Sequence, residues 1–239
     1  MKIAIVTGAS KGIGRAVAEM LLREGYQVVG TYAHDAEAAQ EAAAALTAIS
    51  PNFEMVRADQ SDKASMRAFA QSMRQRQHVD CIVCNAGATL RKDWLQMDDA
   101  EWEQVLQVNL NSTVFLLRDL FDVIPSGSRI VLIGSAMATH PHAVSLAYGV
   151  SKAAVHALAK NLVKCFDGTE TTVNAIAPGF VDTEWQKNKP QDIRQNICRK
   201  TALHRFAAPS EVAAAVQFCL RNPFVNGTVV EVDGGYSYQ

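Results

Sequence analysis

The chain has 239 residues, 49% of them hydrophobic, 20% charged and 7% aromatic, with 23 Lys and Arg against 24 Asp and Glu. That length holds one sizeable core, and that hydrophobicity excludes a disordered chain. A net charge of -1 excludes a global pull toward nucleic acid or an anionic membrane, so neither is expected as a partner.

In chain order, the first apolar run is Lys2–Val6. A Gly-rich turn cuts it off too early for a secretory signal, and no window approaches the ~18 apolar residues of a membrane span. The turn, Gly8-Ala9-Ser10-Lys11-Gly12-Ile13-Gly14, leads into a predicted helix over Ile13–Arg23. Its glycines allow a tight bend and let main-chain N–H groups approach a pyrophosphate at the helix N-terminus. Gly8, Ser10, Lys11, Gly12, Ile13 and Gly14 are therefore expected to bind a dinucleotide. The spacing is Gly-x-x-x-Gly-x-Gly, and no Gly-Lys-Ser/Thr follows as in a Walker-type loop.

The next predicted strand is Gln27–Tyr32. An acid at its end would accept hydrogen bonds from an adenosine ribose and repel a 2′-phosphate. Tyr32 and Ala33 stand there instead, followed by His34, and Lys11 adds a nearby positive charge. NADP(H) is therefore favoured over NAD(H). Asp35 is the counterweight, since folding it back toward the ribose restores NAD(H). An Ala-rich helix over Ala36–Ile49 and a strand over Phe53–Ala58 follow. Asp59, just past that strand, is expected to meet the adenine amino group, with a helix cap or loop acid as its plainer reading.

A helix over Lys63–Gln75 precedes a strand over Val79–Cys84. Cys81 and Cys84 lie within that strand, where residues three apart point to opposite faces, so they read as inert core thiols. Five scattered cysteines build no disulfide framework and fit a reducing cytoplasm. A helix is predicted over Asp99–Leu120, with Trp94 and Trp102 in structural positions before Asn109. The strand Arg129–Ile133 then brings Ser135 to the sheet's carboxyl edge, where ligands bind in this architecture. His140 and His142 lack an evident third ligand for a metal and read as loop residues near the substrate.

Tyr148 and Lys152 sit four apart in a predicted helix over Tyr148–Phe166 and share a face. A Lys ammonium beside a phenol favours the phenolate and lowers its pKa. A phenol so tuned can give its proton to a forming alkoxide or take one from an alcohol. After a strand over Thr172–Ile176, the segment from 181 to 206 breaks the rhythm with Asn188-Lys189-Pro190 and is predicted to be a substrate-binding loop-helix. Phe180, Trp185 and Phe206 could wall an acyl chain or pack that segment. A helix over Pro209–Cys219 and a strand over Thr228–Val232 close the chain. The strands are continuous apolar runs, as a parallel sheet buried on both faces requires. The expected architecture is α/β: a single doubly wound Rossmann domain over residues 1–239 with a seven-stranded parallel sheet.

Several motifs now stand together. They are Thr7 through Gly14; Cys84-Asn85-Ala86-Gly87, with Cys in the first place of an Asn-Asn-Ala-Gly motif; Asn109, Ser135, Tyr148 and Lys152; Pro178-Gly179 with Thr183; and Asp233-Gly234-Gly235. By these the chain resembles, end to end, the classical short-chain dehydrogenase/reductases, and within them the 3-oxoacyl-[acyl-carrier-protein] reductases. The resemblance implies that Tyr148 is the general acid and that Lys152 lowers its pKa and binds the nicotinamide ribose. It implies that Ser135 orients the carbonyl and that Asn109 holds a water linking Lys152 to bulk. Asn85, Ala86 and Gly87 are expected on the adenosine side, with Asn85 touching the ribose. Pro178, Gly179, Val181 and Thr183 are expected at the nicotinamide end. No metal is implied.

The implied reaction is reduction of a 3-oxoacyl thioester by NADPH, the thioester presented by an acyl carrier protein in fatty acid or polyketide-like biosynthesis. The implied assembly is a cytoplasmic homotetramer, with the Tyr148 helix and its predecessor at one interface. The last strand and the tail Tyr236-Ser237-Tyr238 would form another. One departure concerns docking. Ile124–Ser128 lacks the usual basic run and Phe166–Glu170 lacks the usual Arg, leaving Lys160, Lys164 and Arg129 for an acidic carrier. An NAD(P)-dependent dehydrogenase of a small alcohol, polyol or free ketone is the alternative, and a non-catalytic cofactor-binding scaffold is the remote one.

Overall fold

Short β-branched runs with no polar alternation need cover on both faces, and seven such runs here form one sheet. The computed structural model describes residues 1–142, 144–187 and 189–236; Asn188, Ser237 and Tyr238 lie outside the described residues. The strands are β1 (Ile3–Val6), β2 (Gln27–Tyr32), β3 (Phe53–Arg57), β4 (Cys81–Cys84), β5 (Arg129–Ile133), β6 (Thr172–Pro178) and β7 (Val229–Val232). They lie in the order β3-β2-β1-β4-β5-β6-β7, every neighbour parallel. The order reverses between β1 and β4, which opens a crevice at their carboxyl ends.

The described helices are α1 (Gly12–Arg23), α2 (Ala36–Ile49), α3 (Lys63–Arg74), α4 (Asp99–Leu106), α5 (Ser112–Leu120), α6 (Leu146–Leu162), α7 (Glu184–Lys187), α8 (Gln191–Lys200) and α9 (Pro209–Arg221). Successive strand residues face opposite sides, so each central strand feeds two cores. Val17, Leu21, Leu46, Val212 and Val216 of α1, α2 and α9 cover Val6, Val83 and Val131. Phe69, Met73, Leu116, Leu120 and Val155 of α3, α5 and α6 cover Ile5, Ile82, Ile130 and Leu132 on the other face. Cys81 and Cys84 fall on these two different faces. Both thiols are free, and burial pushes each up to about 12, the range of an unreactive thiol.

Three departures from the sequence reading bear on the site. The helix expected over Asp99–Leu120 is interrupted by a π-helical turn at Gln107–Asn111. The wider turn rotates Asn109 toward α6, which helical periodicity does not register. α6 starts earlier, at Leu146, and tightens into a 3₁₀ turn over Val163–Phe166. Trp94 is 61% exposed on a turn closed by Asp93, which accepts the Leu95 N–H at 2.9 Å, so its ring stays outside the core.

The segment after β6 is pinched shut at its base. Val181 bridges Ala207, whose N–H donates to the Phe180 carbonyl at 2.9 Å while Asp182 N–H donates to the Ala207 carbonyl at 2.8 Å. The excursion thus carries α7 and α8 out from and back to the site as one unit. No helix among the described residues is long and apolar enough to cross a membrane.

Candidate active site

Strands β1, β4 and β5 end side by side, and their unpaired main-chain groups are taken up by a few side chains. Thr7 Oγ1 accepts the N–H groups of Asn85 and Ala86 at 2.9 and 3.0 Å. The Asn85 amide donates to the carbonyls of Thr7 and Gly8 at 2.9 and 3.1 Å. Both of its hydrogens serve the glycine turn, which leaves Oδ1 as the side-chain atom with which Asn85 could touch a ribose. Gly8 and Gly12 adopt φ of 67° and 53°, the left-handed region that glycine tolerates. A Cβ on Gly14 would lie 2.1 Å from the Gly8 carbonyl oxygen, so Gly14 permits the bend from behind and does not line the cleft. Lys11, at the N-cap of α1, makes no side-chain cap and no acid stands in the first turn. That leaves main-chain N–H groups available to an anion, and the turn fits a dinucleotide pyrophosphate.

The cleft over this edge measures about 610 Å³. At the end expected to take the adenosine it is lined by Ala33, His34 and Asp59, with Ala86 beside the glycine turn, whereas Gly87 lies next to Lys152, where a Cβ would come within 3.5 Å of the ammonium. Asp59 accepts from Ser61 N–H at 2.8 Å and faces His34 Nε2 at 3.2 Å, while Asp62, not Asp59, caps α3. Lys11 does not offer its charge freely, because it forms an ion pair with Asp35. That contact holds the ammonium above and the carboxyl below their usual ranges. Asp35 also caps α2 through Ala38 N–H at 3.0 Å, so it does not fold back over the ribose position. The basic group missed by sequence is Arg57. Its register opposite Tyr32 brings Nε within 3.1 Å of the Ala33 carbonyl.

At the other end Ser135, Tyr148 and Lys152 converge, with Pro178, Gly179, Val181 and Thr183 beside them. Ser135 Oγ accepts Met137 N–H at 3.1 Å, and its hydroxyl lies near enough to the Tyr148 phenol to act on its proton affinity. Burial holds the phenol above its usual range, with Ser135 opposing part of that rise. Lys152 is only 4% exposed; its ammonium donates to the Ile133 carbonyl at 2.7 Å and lies 5.7 Å from the Tyr148 ring centroid. The lowering expected from Lys152 does not appear in this geometry, where the ammonium is turned to the Ile133 carbonyl and the phenol stands above its usual range. Burial pushes Lys152 down to about 8.

Asn109 works as a clamp. Its Oδ1 accepts Ala88 N–H at 2.7 Å, and its Nδ2 donates to the Ala88 carbonyl and Ser151 Oγ, both at 2.9 Å. The amide thereby ties the loop after β4 to α6 and stands behind the cleft lining. Its expected water would have to use other groups of the residue. His156, one turn beyond Lys152, was not anticipated: its Nε2 lies 3.4 Å from Ser135 N–H. A Cβ on Gly134 would come within 2.2 Å of that nitrogen, so glycine leaves the ring its seat.

Aromatic groups enclose the substrate end. Trp185 meets Tyr148 edge-on at 6.5 Å, and Phe180 packs against Tyr236 at 5.2 Å and His142 at 6.5 Å. Phe206 stands behind Phe180 and does not line the cleft. His140 lines it; His142 supports the wall. No group of three or more His, Cys, Asp or Glu that could hold a metal occurs among the described residues.

A doubly wound parallel sheet with a glycine turn at its switch point and a Ser-Tyr-Lys set beside it defines a nucleotide-dependent oxidoreductase. The sequence family described as Enoyl-(Acyl carrier protein) reductase matches residues 8–237. The chain is 32% identical over 239 residues to the 3-oxoacyl-[acyl-carrier-protein] reductase FabG of Salmonella typhimurium, covering 98% of this chain and 96% of that one. It is also 32% identical to the cis-4-hydroxycyclohexanecarboxylate dehydrogenase of Sinomonas cyclohexanicum, covering 99% and 96%. A crystal structure of a short chain dehydrogenase from Burkholderia cenocepacia in complex with NADP superposes with a TM-score of 0.92 at 28% identity, covering 99% and 98%. This chain belongs to the short-chain dehydrogenase/reductase family.

Two outcomes follow from the geometry. Gly134→Ala is expected to destabilise the fold by about 1–3 kcal/mol through overpacking, and adding His156→Ala should return most of that loss in urea denaturation. A Lys with a depressed pKa is charged below it and neutral above it. The pH profile of kcat/KM, which reports the free enzyme, is therefore expected to fall above about pH 8 as Lys152 loses its proton. A profile flat through pH 9 would contradict this.

Proposed function

We propose that this protein is an NADPH-dependent ketoreductase that converts a 3-oxoacyl thioester to its 3-hydroxyacyl form. The observation that carries this reading is the convergence of Ser135, Tyr148 and Lys152 on one cleft, with the buried Lys152 ammonium 5.7 Å from the Tyr148 ring. NADPH, when bound, supplies the hydride. Ser135 holds the carbonyl oxygen, and Tyr148 gives that oxygen its proton as the carbon is reduced. The Lys152 charge stabilises the phenolate left behind, and its two remaining N–H groups are free to hold a ribose. The FabG similarity supports the thioester.

NADPH over NADH is supported by Ala33 in place of an acid, by Arg57 beside it, and by the engagement of Asp35 with Lys11. The Burkholderia structure in complex with NADP adds to that support. Presentation by a carrier protein has less behind it. Arg129 donates to the carbonyls of Leu220, Gly127, Ser128 and Glu170 at the amino edge of the sheet, away from the site. Lys160 is exposed, but it sits about 18 Å along α6 from Tyr148 at 1.5 Å per residue. That distance favours a second reading, a dehydrogenase of a small free ketone or alcohol, to which the similarity with the cyclohexanecarboxylate enzyme also points. A homotetramer is part of the proposal, supported by exposed Phe121, Leu146 and Val150 near α6 and by Phe224 before β7.

NADPH oxidation should be seen with 3-oxoacyl thioesters and should be lost in Tyr148→Phe. A 2-enoyl thioester run alongside tests the reduction named in the family description. No turnover across a broad ketone panel with either cofactor would sink the reading. In the same assay Arg57→Ala should raise the KM for NADPH more than that for NADH; an equal effect on both removes Arg57 from cofactor choice. Sedimentation velocity should give four copies of the 26.0 kDa chain.

A further inference from the structure

The substrate end of the cleft carries two cations that the proposed chemistry does not use. Arg91, in the connection from β4 to α4, and Lys189, between α7 and α8, both line it. The neighbouring Lys92 is taken by Glu101 at 2.9 and 2.7 Å, and Lys92 N–H donates to the Val144 carbonyl at 3.0 Å. That contact fixes the Arg91 stretch against the loop after Ser135, on the substrate side of Tyr148. Neither Arg91 nor Lys189 has an ion pair among the described residues.

Acids do not balance them. The acids that line the cleft are Asp59 and Glu184. Asp59 faces His34 and Ser61 at the adenosine end. Glu184 pairs with Lys187 and acts on Lys11 across the glycine turn. Arg91 is close enough to push the Lys189 ammonium down, in addition to its burial. His142, behind the aromatic wall, is likewise held down by burial and by Arg91, Lys200 and Lys189. Like charges gathered in a partly dry cleft repel one another, and an anion between them removes the penalty. An arginine with its fork unengaged is suited to a planar carboxylate.

We propose that Arg91 and Lys189 form a carboxylate-binding site, so that the substrate is a ketone bearing a carboxylate beyond its reacting carbonyl. This rests on the ketoreductase reading of Tyr148, Ser135 and Lys152. Trp185 and Phe180 then line the short apolar stretch between carbonyl and carboxylate.

The test compares kcat/KM for two matched pairs. The N-acetylcysteamine thioesters of 3-oxoadipate and 3-oxohexanoate share the reacting carbonyl and differ in a terminal carboxylate or methyl. Free 3-oxobutanoate and its methyl ester form the second pair. The carboxylate member of at least one pair should be preferred by about tenfold or more, the range for a hydrogen bond to a charged group. That ratio should collapse toward one in Arg91→Ala and in Lys189→Ala, and recover in part in Arg91→Lys. Equal or better turnover of the neutral members in both pairs overturns the assignment while leaving the reductase reading intact. So does a preference that survives both alanine variants, or a loss of NADPH affinity in them by fluorescence titration, which would give these cations to the cofactor. Absence of turnover with every ketone removes the reductase reading, and this assignment with it.

Discussion

Seven parallel strands deliver their last carbonyls and the next N–H groups to one edge of the sheet, where strand pairing stops. Those main-chain groups need partners. Thr7 and Asn85 cap the ends of β1 and β4, Lys152 covers the Ile133 carbonyl, and His156 approaches Ser135 N–H. The chemistry grows from this requirement. Lys152 gives one hydrogen to the sheet and keeps two, and Ser135 receives Met137 N–H while its own proton stays available to the cleft. The reactive groups are edge side chains with hydrogen-bonding capacity left over after the strands are satisfied.

The same edge explains the glycines. Gly8 and Gly12 take conformations that suit glycine, and Gly14 leaves room for the Gly8 carbonyl. Gly134 leaves room for the His156 ring. Further along, Gly179 packs against Asp233, where a Cβ would lie 2.8 Å from its Cα. The closing Asp-Gly-Gly stretch thereby buttresses the Pro178-Gly179 wall. Close main-chain approach on several sides lets a shallow edge become an enclosed cleft.

Charge in that cleft does not follow the balance of the whole chain. Lys11 is cancelled by Asp35, Arg129 is engaged by carbonyls at the opposite edge, and Lys92 is held by Glu101. Besides Lys152, what remains is Arg91 with Lys189 at the substrate end, and Arg57, which reaches Ala33 from outside the cleft lining. These were the least conspicuous basic residues in the sequence, because none lies in a motif. Which charges are available is decided by pairing in space, and a count of basic residues near a motif does not contain that information.

Most of the architecture was legible without coordinates. The strands at Gln27–Tyr32 and Arg129–Ile133 and the helix at Ala36–Ile49 form over the expected residues, because buried parallel strands and long helices carry strong periodic signals. Motif order placed Ser135, Tyr148 and Lys152 together, and the fold brings them together. Side-chain surroundings were less legible: Trp94 is exposed, Phe206 takes the packing reading behind the wall, and the Asn85 and Asn109 amides brace the loops around the cleft. Hydrophobicity and motif spacing identify which residues reach the edge, since those depend on neighbours along the chain. Tertiary structure alone decided what each residue does there. A hydrogen bond or ion pair depends on which distant group arrives within about 3 Å, and that is a property of the packed fold.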